Sequence, residues 1–182
     1  LRRHSADSVL KCCHGLLATG FFEARQLAYE VVSRHGATMD SVGVREVEEL
    51  GKGSDNWAST DAFAVLVTGE LWLRRRLSDQ TILKWARSND VWWRRIAVVS
   101  SVPLNLKNRG GKGDVERTFK VVDIVKGDRH PMVAKGVSWA LRSLVVWDPV
   151  SVRRYLDENE SVLPALVRRE TLRKLTTGRK SG

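Results

Sequence analysis

The chain has 182 residues, 42% of them hydrophobic, and carries 31 Lys and Arg against 21 Asp and Glu, a net charge of +10. That hydrophobic fraction excludes a disordered chain, and the length suffices for a single domain with a substantial core. A pI of about 10.1 makes nucleic acid the first partner to consider, because a value above about 9 is the electrostatic footprint of such binding.

Cys12 and Cys13 are adjacent, and neighbouring cysteines pair only with strain. The sequence contains no CxxC or Cys/His ligand cluster, so no structural zinc is expected, and free thiols point to a reducing compartment. No apolar run approaches the ~20 residues that cross a bilayer, and no signal peptide is visible.

In chain order, Val9, Leu16 and Leu17 predict a first helix. Phe22, Leu27, Ala28, Val31 and Val32 predict a second, stopped at His35-Gly36 because glycine accepts the left-handed terminator conformation. A short helix over Val42 to Leu50 closes at Gly51. Ser54 or Asp55 is expected to cap a helix through Trp57, Asp61, Val65 and Leu71. Ser78 or Asp79 caps the next, with Ile82, Leu83 and Trp85 on its apolar side. Asn89 or Asp90 caps the helix of Trp92, Trp93, Ile96, Ala97 and Val99. A basic, glycine-rich loop covers Asn105 to Asp114. Val115 to Val125 reads as a helix, although its valines also permit a strand. Pro131 suits a first turn, ahead of Val133, Val137, Ala140, Leu141 and Leu144. Asp148-Pro149 opens another helix, and the last begins near Ser161. Residues 177–182 are expected to fray.

The expected class is therefore all-α, with residues 1–182 as one domain. Four segments, beginning near Ser54, Ser88, Asp128 and Asn159, repeat a polar cap followed by a helix with aromatic and basic residues. Arg95 to Lys135 is forty residues and Lys135 to Arg169 is thirty-four, both near the period of HEAT-like repeats. Antiparallel helix pairs at that period stack into a solenoid with a continuous concave basic groove. An irregular bundle is the alternative.

Trp57 and Asp61 are four apart and share a helical face. Lys135, Trp139 and Arg142 form one stripe at i, i+4 and i+7. Arg94 and Arg95 point in different directions, so one of them faces the groove. Trp72, Trp85 and Trp147 read as core, and one of Trp92 and Trp93 is expected to pack inward. Arg74-Arg75-Arg76 reads as a solvated helix end, and the four histidines show no triad or metal spacing.

These segments resemble the AlkD family of DNA alkylation-repair glycosylases, which are HEAT-like repeat proteins. Trp57-Ala58-Ser59-Thr60-Asp61 is similar to the family's Trp-Asp-x-Val-Asp. Val91-Trp92-Trp93-Arg94-Arg95-Ile96-Ala97 is similar to its Trp-x-x-Arg-x-Ala helix. The run from Lys135 to Arg142 is similar to Lys-Ala-Ile-x-Trp-x-Leu-Arg, and Arg168-Arg169-Glu170 resembles its Arg-Glu before the last helix. The resemblance runs from about Gly20 to Leu175.

The resemblance implies a DNA repair glycosylase that hydrolyses the N-glycosidic bond of cationic purines alkylated at N3 or N7, in duplex DNA, without base flipping. Asp61 would be the catalytic carboxylate. Trp57 and Trp139 would pack against the deoxyribose, and Arg95 would contact the DNA backbone and help hold the site. Lys135 and Arg142 would bind DNA. No cofactor or metal is implied, and the partner is alkylated double-stranded DNA met by a monomer in the cytoplasm, at the nucleoid. The alternatives are a non-catalytic relative that recognises damaged or branched DNA, and a protein-binding helical scaffold.

The chain departs from the family pattern in three places. Ala58 and Thr60 replace an acid and a valine, which is expected to loosen Asp61. Ser143 stands where many members have Glu, which is expected to free Arg142 or leave its repeat less braced. The family also carries helices ahead of the stretch beginning at Gly20, where this chain has about twenty residues; weaker DNA binding, or use of another surface, is the expectation.

Overall fold

Every regular element among the described residues, 3–179 of this computed structural model, is helical. In order they are α1 (Ala6–Ala18), α2 (Phe22–Arg34), α3 (Gly36–Ser41), α4 (Val44–Gly51), α5 (Trp57–Phe63), α6 (Gly69–Leu73), α7 (Asp79–Ala86) and α8 (Val91–Val99). After a loop with two 3₁₀ turns come α9 (Val115–Val125), α10 (Pro131–Leu144), α11 (Pro149–Glu158) and α12 (Ala165–Thr177). A π-helical segment, Ala64–Thr68, joins α5 to α6 without a break. Of the predicted frayed tail, Thr177 ends α12, Gly178 caps it in the left-handed conformation, and residues 180–182 lie outside the described residues.

Side-chain caps set most starts. Ser78 accepts from Thr81 N at 3.1 Å, Asp90 from Trp92 N at 2.8 Å and Asp148 from Ser151 N at 2.8 Å, each satisfying an N–H that a helix start leaves free. Asp114 caps α9 in the same way. Val121, Val122 and Val125 then fall on one buried face, which makes the valine-rich run a helix rather than a strand.

Four boundaries differ from the sequence reading. Gly36 does not terminate α2 but begins α3, because the His35 ring accepts from Thr38 N at 3.2 Å and caps a new turn. Asn56, not Ser54 or Asp55, caps α5: Ser54 donates back to Gly51 O at 2.9 Å, and Asp55 accepts from the Asn56 amide at 2.9 Å. His130 caps α10, since the Asp128 carboxylate is taken by His130 N and Arg94. The last helix starts at Ala165 rather than near Ser161, behind Pro164, which has no N–H to continue the preceding turn.

The helices form two layers. α2, α5, α8, α10 and α12 pack side by side in that order, and α1, α7, α9 and α11 each pack against an inner partner. Neighbouring inner helices run parallel. Asp61 meets Arg95 and, further along both helices, Thr68 meets Ser100 at 2.6 Å. Arg95 likewise reaches Met132, while Val98 lies beside Gly136. Parallel inner helices returned by outer ones define a HEAT-like all-α repeat fold. A contiguous apolar core runs from Val9 to Val167 between the layers.

Two glycines set the spacing of the inner layer. A Cβ on Gly136 would lie 2.9 Å from Val98 Cγ1, so glycine lets α10 close on α8. A Cβ on Gly69 would lie 2.7 Å from Ala64 O and 2.8 Å from Ser100 O, at the end of the π segment.

Candidate active site

Asn56 accepts from Ser59 N at 3.0 Å and fixes where α5 begins. That start places Trp57 and Asp61 on the inner face one turn apart. The Trp57 ring is 58% exposed. The Asp61 side chain, by contrast, is only 15% exposed and Arg95 6%. Arg95 Nε donates to Asp61 Oδ1 at 2.8 Å and Nη2 donates to Oδ2 at 2.7 Å. This bidentate fork uses both carboxylate oxygens in one plane. Arg95 Nη1 donates to the Met132 carbonyl of α10, so one guanidinium ties three inner helices together.

α10 supplies the opposite wall. Lys135 is exposed, Trp139 is half-buried and the Arg142 side chain is 10% exposed. Arg142 Nε donates to Ser138 O and Ser138 Oγ, both at 3.1 Å. Ser138 Oγ donates to Glu170 Oε2 at 2.6 Å, and that same oxygen lies 3.6 Å from Arg142 Nη2. Trp57, Asp61, Arg95, Lys135, Trp139 and Arg142 all line one open cleft of about 680 Å³, together with Met132 and Glu170.

Burial pushes the Asp61 carboxyl above the usual aspartate range, and the Arg95 guanidinium pulls the other way without cancelling it. Burial also lowers the Arg142 pKa, against the opposing charge of Glu170. The cleft therefore presents a fixed carboxylate between one exposed and one half-buried indole, with a free ammonium and a braced guanidinium beside it. Among the described residues, no three His, Cys, Asp or Glu side chains gather as a metal-binding group.

The structure thus brings together all six residues singled out from the sequence, with roles adjusted by their contacts. Arg95 is turned onto Asp61 and Met132 and presents little surface to a ligand. Ala58 and Thr60 do not leave Asp61 loose, because Arg95 holds it and the Thr60 hydroxyl donates to Asn56 O at 2.7 Å. Ser143 does not free Arg142, because Glu170 and Ser138 brace it while Ser143 donates to Ala140 O. Met132, Ser138 and Glu170 were not singled out; Glu170 lay within the Arg168-Arg169-Glu170 match, and Ser138 within the α10 motif.

The remaining tryptophans and arginines fall as expected. Trp72 and Trp85 are buried and donate to Asp79 and Glu48, and Trp147 donates to Asn105 O. Trp93 packs inward on Phe63 and Trp85. Arg94 turns to Asp128 at 2.7 Å. Arg74, Arg75 and Arg76 are exposed at the end of α6.

A HEAT-like repeat with a carboxylate, two indoles and basic side chains on its inner face presents the charged and aromatic surface that suits a nucleic-acid partner. Residues 1–175 match the family described as DNA alkylation repair enzyme, and the chain belongs to that family. It is accordingly an enzyme of DNA alkylation repair, with DNA as its partner. The matched stretch also takes in residues ahead of Gly20. A comparison with curated proteins found no match. No helix among the described residues is long and apolar enough to cross a membrane.

Proposed function

We propose that the cleft hydrolyses the N-glycosidic bond of purines alkylated at N3 or N7 in duplex DNA, the base leaving from the stack rather than from a pocket. The observation that carries this reading is the Asp61 carboxylate, held in one orientation by the Arg95 fork at the floor of a cleft between Trp57 and Trp139.

The chemistry fits these groups. An N3- or N7-alkylated purine is already cationic. When its bond to C1′ breaks, the electron pair goes to the base, which leaves neutral without a general acid. Positive charge then develops on the deoxyribose, as in other glycosyl cleavages. Asp61 stabilises that charge and orients a water whose oxygen bonds to C1′, the proton passing to the carboxylate or to solvent. The faces of Trp57 and Trp139 attract the same cation through their quadrupoles, at roughly 0.5–2 kcal/mol each. Lys135 and Arg142 suit the flanking phosphates. Arg95 acts through Asp61 as a positioning residue, since its donors are engaged within the protein. An open cleft serves a base that stays stacked, whereas flipping enzymes need an enclosing pocket.

The test is release of 7-methylguanine and 3-methyladenine from methylated duplex DNA, with Asp61→Asn run beside the native protein and DNA binding measured in parallel. Release that depends on Asp61 supports the reading. Binding without release from the native protein would instead make this a recognition protein for damaged or branched DNA.

A further inference from the structure

Two successive repeats share a pattern that the candidate active site does not use. Lys52 is the C-cap of α4 and Arg87 the C-cap of α7. Each stands five positions before a first-turn tryptophan of the following inner helix, Trp57 on α5 and Trp92 on α8. Both pairs are separated by thirty-five positions. Lys52 and Arg87 are exposed, and neither forms an ion pair among the described residues.

The turns that carry these cations are each held by an arginine of the inner layer, one from the helix before the turn and one from the helix that follows it. Arg25 of α2 donates to Lys52 O at 3.1 Å. Arg94 of α8 donates to Ser88 O and Asn89 O, both at 2.9 Å. Lys52, Arg87, Ser88 and Asn89 line a second open cleft of about 520 Å³, together with Lys84 and Glu48. Glu48 is occupied by Trp85 Nε1 at 2.8 Å and Lys84 at 3.2 Å, and those bonds hold it ionised. The charged lining is three cations against one anion. Trp92, one turn before Arg95, is half-buried and lies outside the core and the residues packed on it.

We infer that this second cleft is a phosphodiester-binding track that extends the DNA contact beyond the reacting nucleotide. Lys52 and Arg87 take backbone phosphates on successive repeats, and the Trp92 ring covers a deoxyribose next to the one at Trp57. The occupant is the DNA backbone because Lys52 and Arg87 carry unneutralised charge among the described residues, the turns are fixed in advance, and each cation precedes by five positions the tryptophan that opens an inner helix, Trp57 of the first cleft among them. The inference rests on the reading of Trp57 and Asp61 as the reaction site. Preorganised turns bind a charged polymer without the entropy cost of ordering loops.

The experiment measures affinity for unmodified duplex DNA across a salt series, for native protein, Lys52→Gln/Arg87→Gln, Trp92→Ala and a control, Lys112→Gln/Arg153→Gln. The control removes two exposed cations outside both clefts. Each lost phosphate contact lowers the slope of log K against log salt by about 0.9. The Lys52/Arg87 variant should therefore lose about 1.8 from the slope, and the control much less. Trp92→Ala should weaken binding about tenfold with its slope kept, as expected for a lost stacking surface. Thermal melts establish that all variants fold. Equal slopes for the Lys52/Arg87 variant and the control overturn the inference, as does native affinity in Trp92→Ala. Absence of base release from the native protein would overturn the glycosylase reading alone, because the slopes are read on unmodified DNA.

Discussion

Replacing Arg95 with Met keeps most of the side chain's length and removes only the guanidinium fork. The Asp61 carboxylate, 15% exposed in the native protein, would then lose the two bonds of 2.7–2.8 Å that hold it. Breaking a buried ion pair by removing one partner costs about 3–5 kcal/mol. Burial already holds this carboxyl above the usual range in the native protein, so loss of the arginine moves it further in the same direction. The folded variant binds this proton more tightly than the unfolded chain does. Its stability is then greatest at low pH and falls as pH rises toward the folded value. Urea unfolding at about pH 5 and about pH 8 should show a deficit against native protein that grows with pH. The acid limb of base release should move upward, while the salt dependence of DNA binding stays native because Arg95 meets Asp61 and Met132 rather than phosphate. A deficit equal at both pH values would refute the account of Arg95 as the holder of a buried carboxylate. A lower salt slope would return Arg95 to the DNA backbone.

Asp61→Asn should cut base release by at least about 10²-fold, the scale of a lost electrostatic stabiliser, with DNA affinity equal or higher because a negative charge is removed; single-turnover assays and binding on the same duplex check this. Gly136→Ala should force α10 away from α8 at the 2.9 Å approach to Val98 and destabilise by about 1–3 kcal/mol, read in the urea midpoint. Because α10 carries Lys135 and Trp139, release should fall more than DNA binding. Glu170→Gln should leave the fold intact, release Arg142 from its ion pair and remove a negative charge from the cleft, so DNA affinity should be equal or modestly higher; a lower affinity would mean that Glu170 is needed to aim the guanidinium at the DNA.

Much of the site was legible because it is written at helical spacing. Trp57 and Asp61 at i, i+4, and Lys135, Trp139 and Arg142 at i, i+4 and i+7, declare shared faces whatever the tertiary structure. Arg95 was legible as a groove residue but not as a clamp, since its partner lies thirty-four positions away on another repeat. Glu170 and Ser138 were hidden for the same reason: nothing local says that an acid on α12 will brace an arginine on α10. Among the elements, α3 was missed because Gly36 is a common helix terminator, and only the ring of His35 turns it into a start. The π segment escaped because Ala64 to Thr68 keeps an ordinary helical pattern; what sets it apart is packing against Ser100 and Pro103.

That π segment divides a single rod into two stretches that can change separately. A π turn holds about one residue more than an α turn, so the angular phase of Trp57 and Asp61 is uncoupled from that of Leu71 and Trp72, both fully buried beyond it. A one-residue insertion or deletion at Ala64–Thr68 would turn the half of the rod that carries Trp57 and Asp61 relative to the half that carries Leu71 and Trp72. In evolutionary terms the segment is a joint. It lets the face that carries the carboxylate and the face anchored beyond it follow separate phases along one rod.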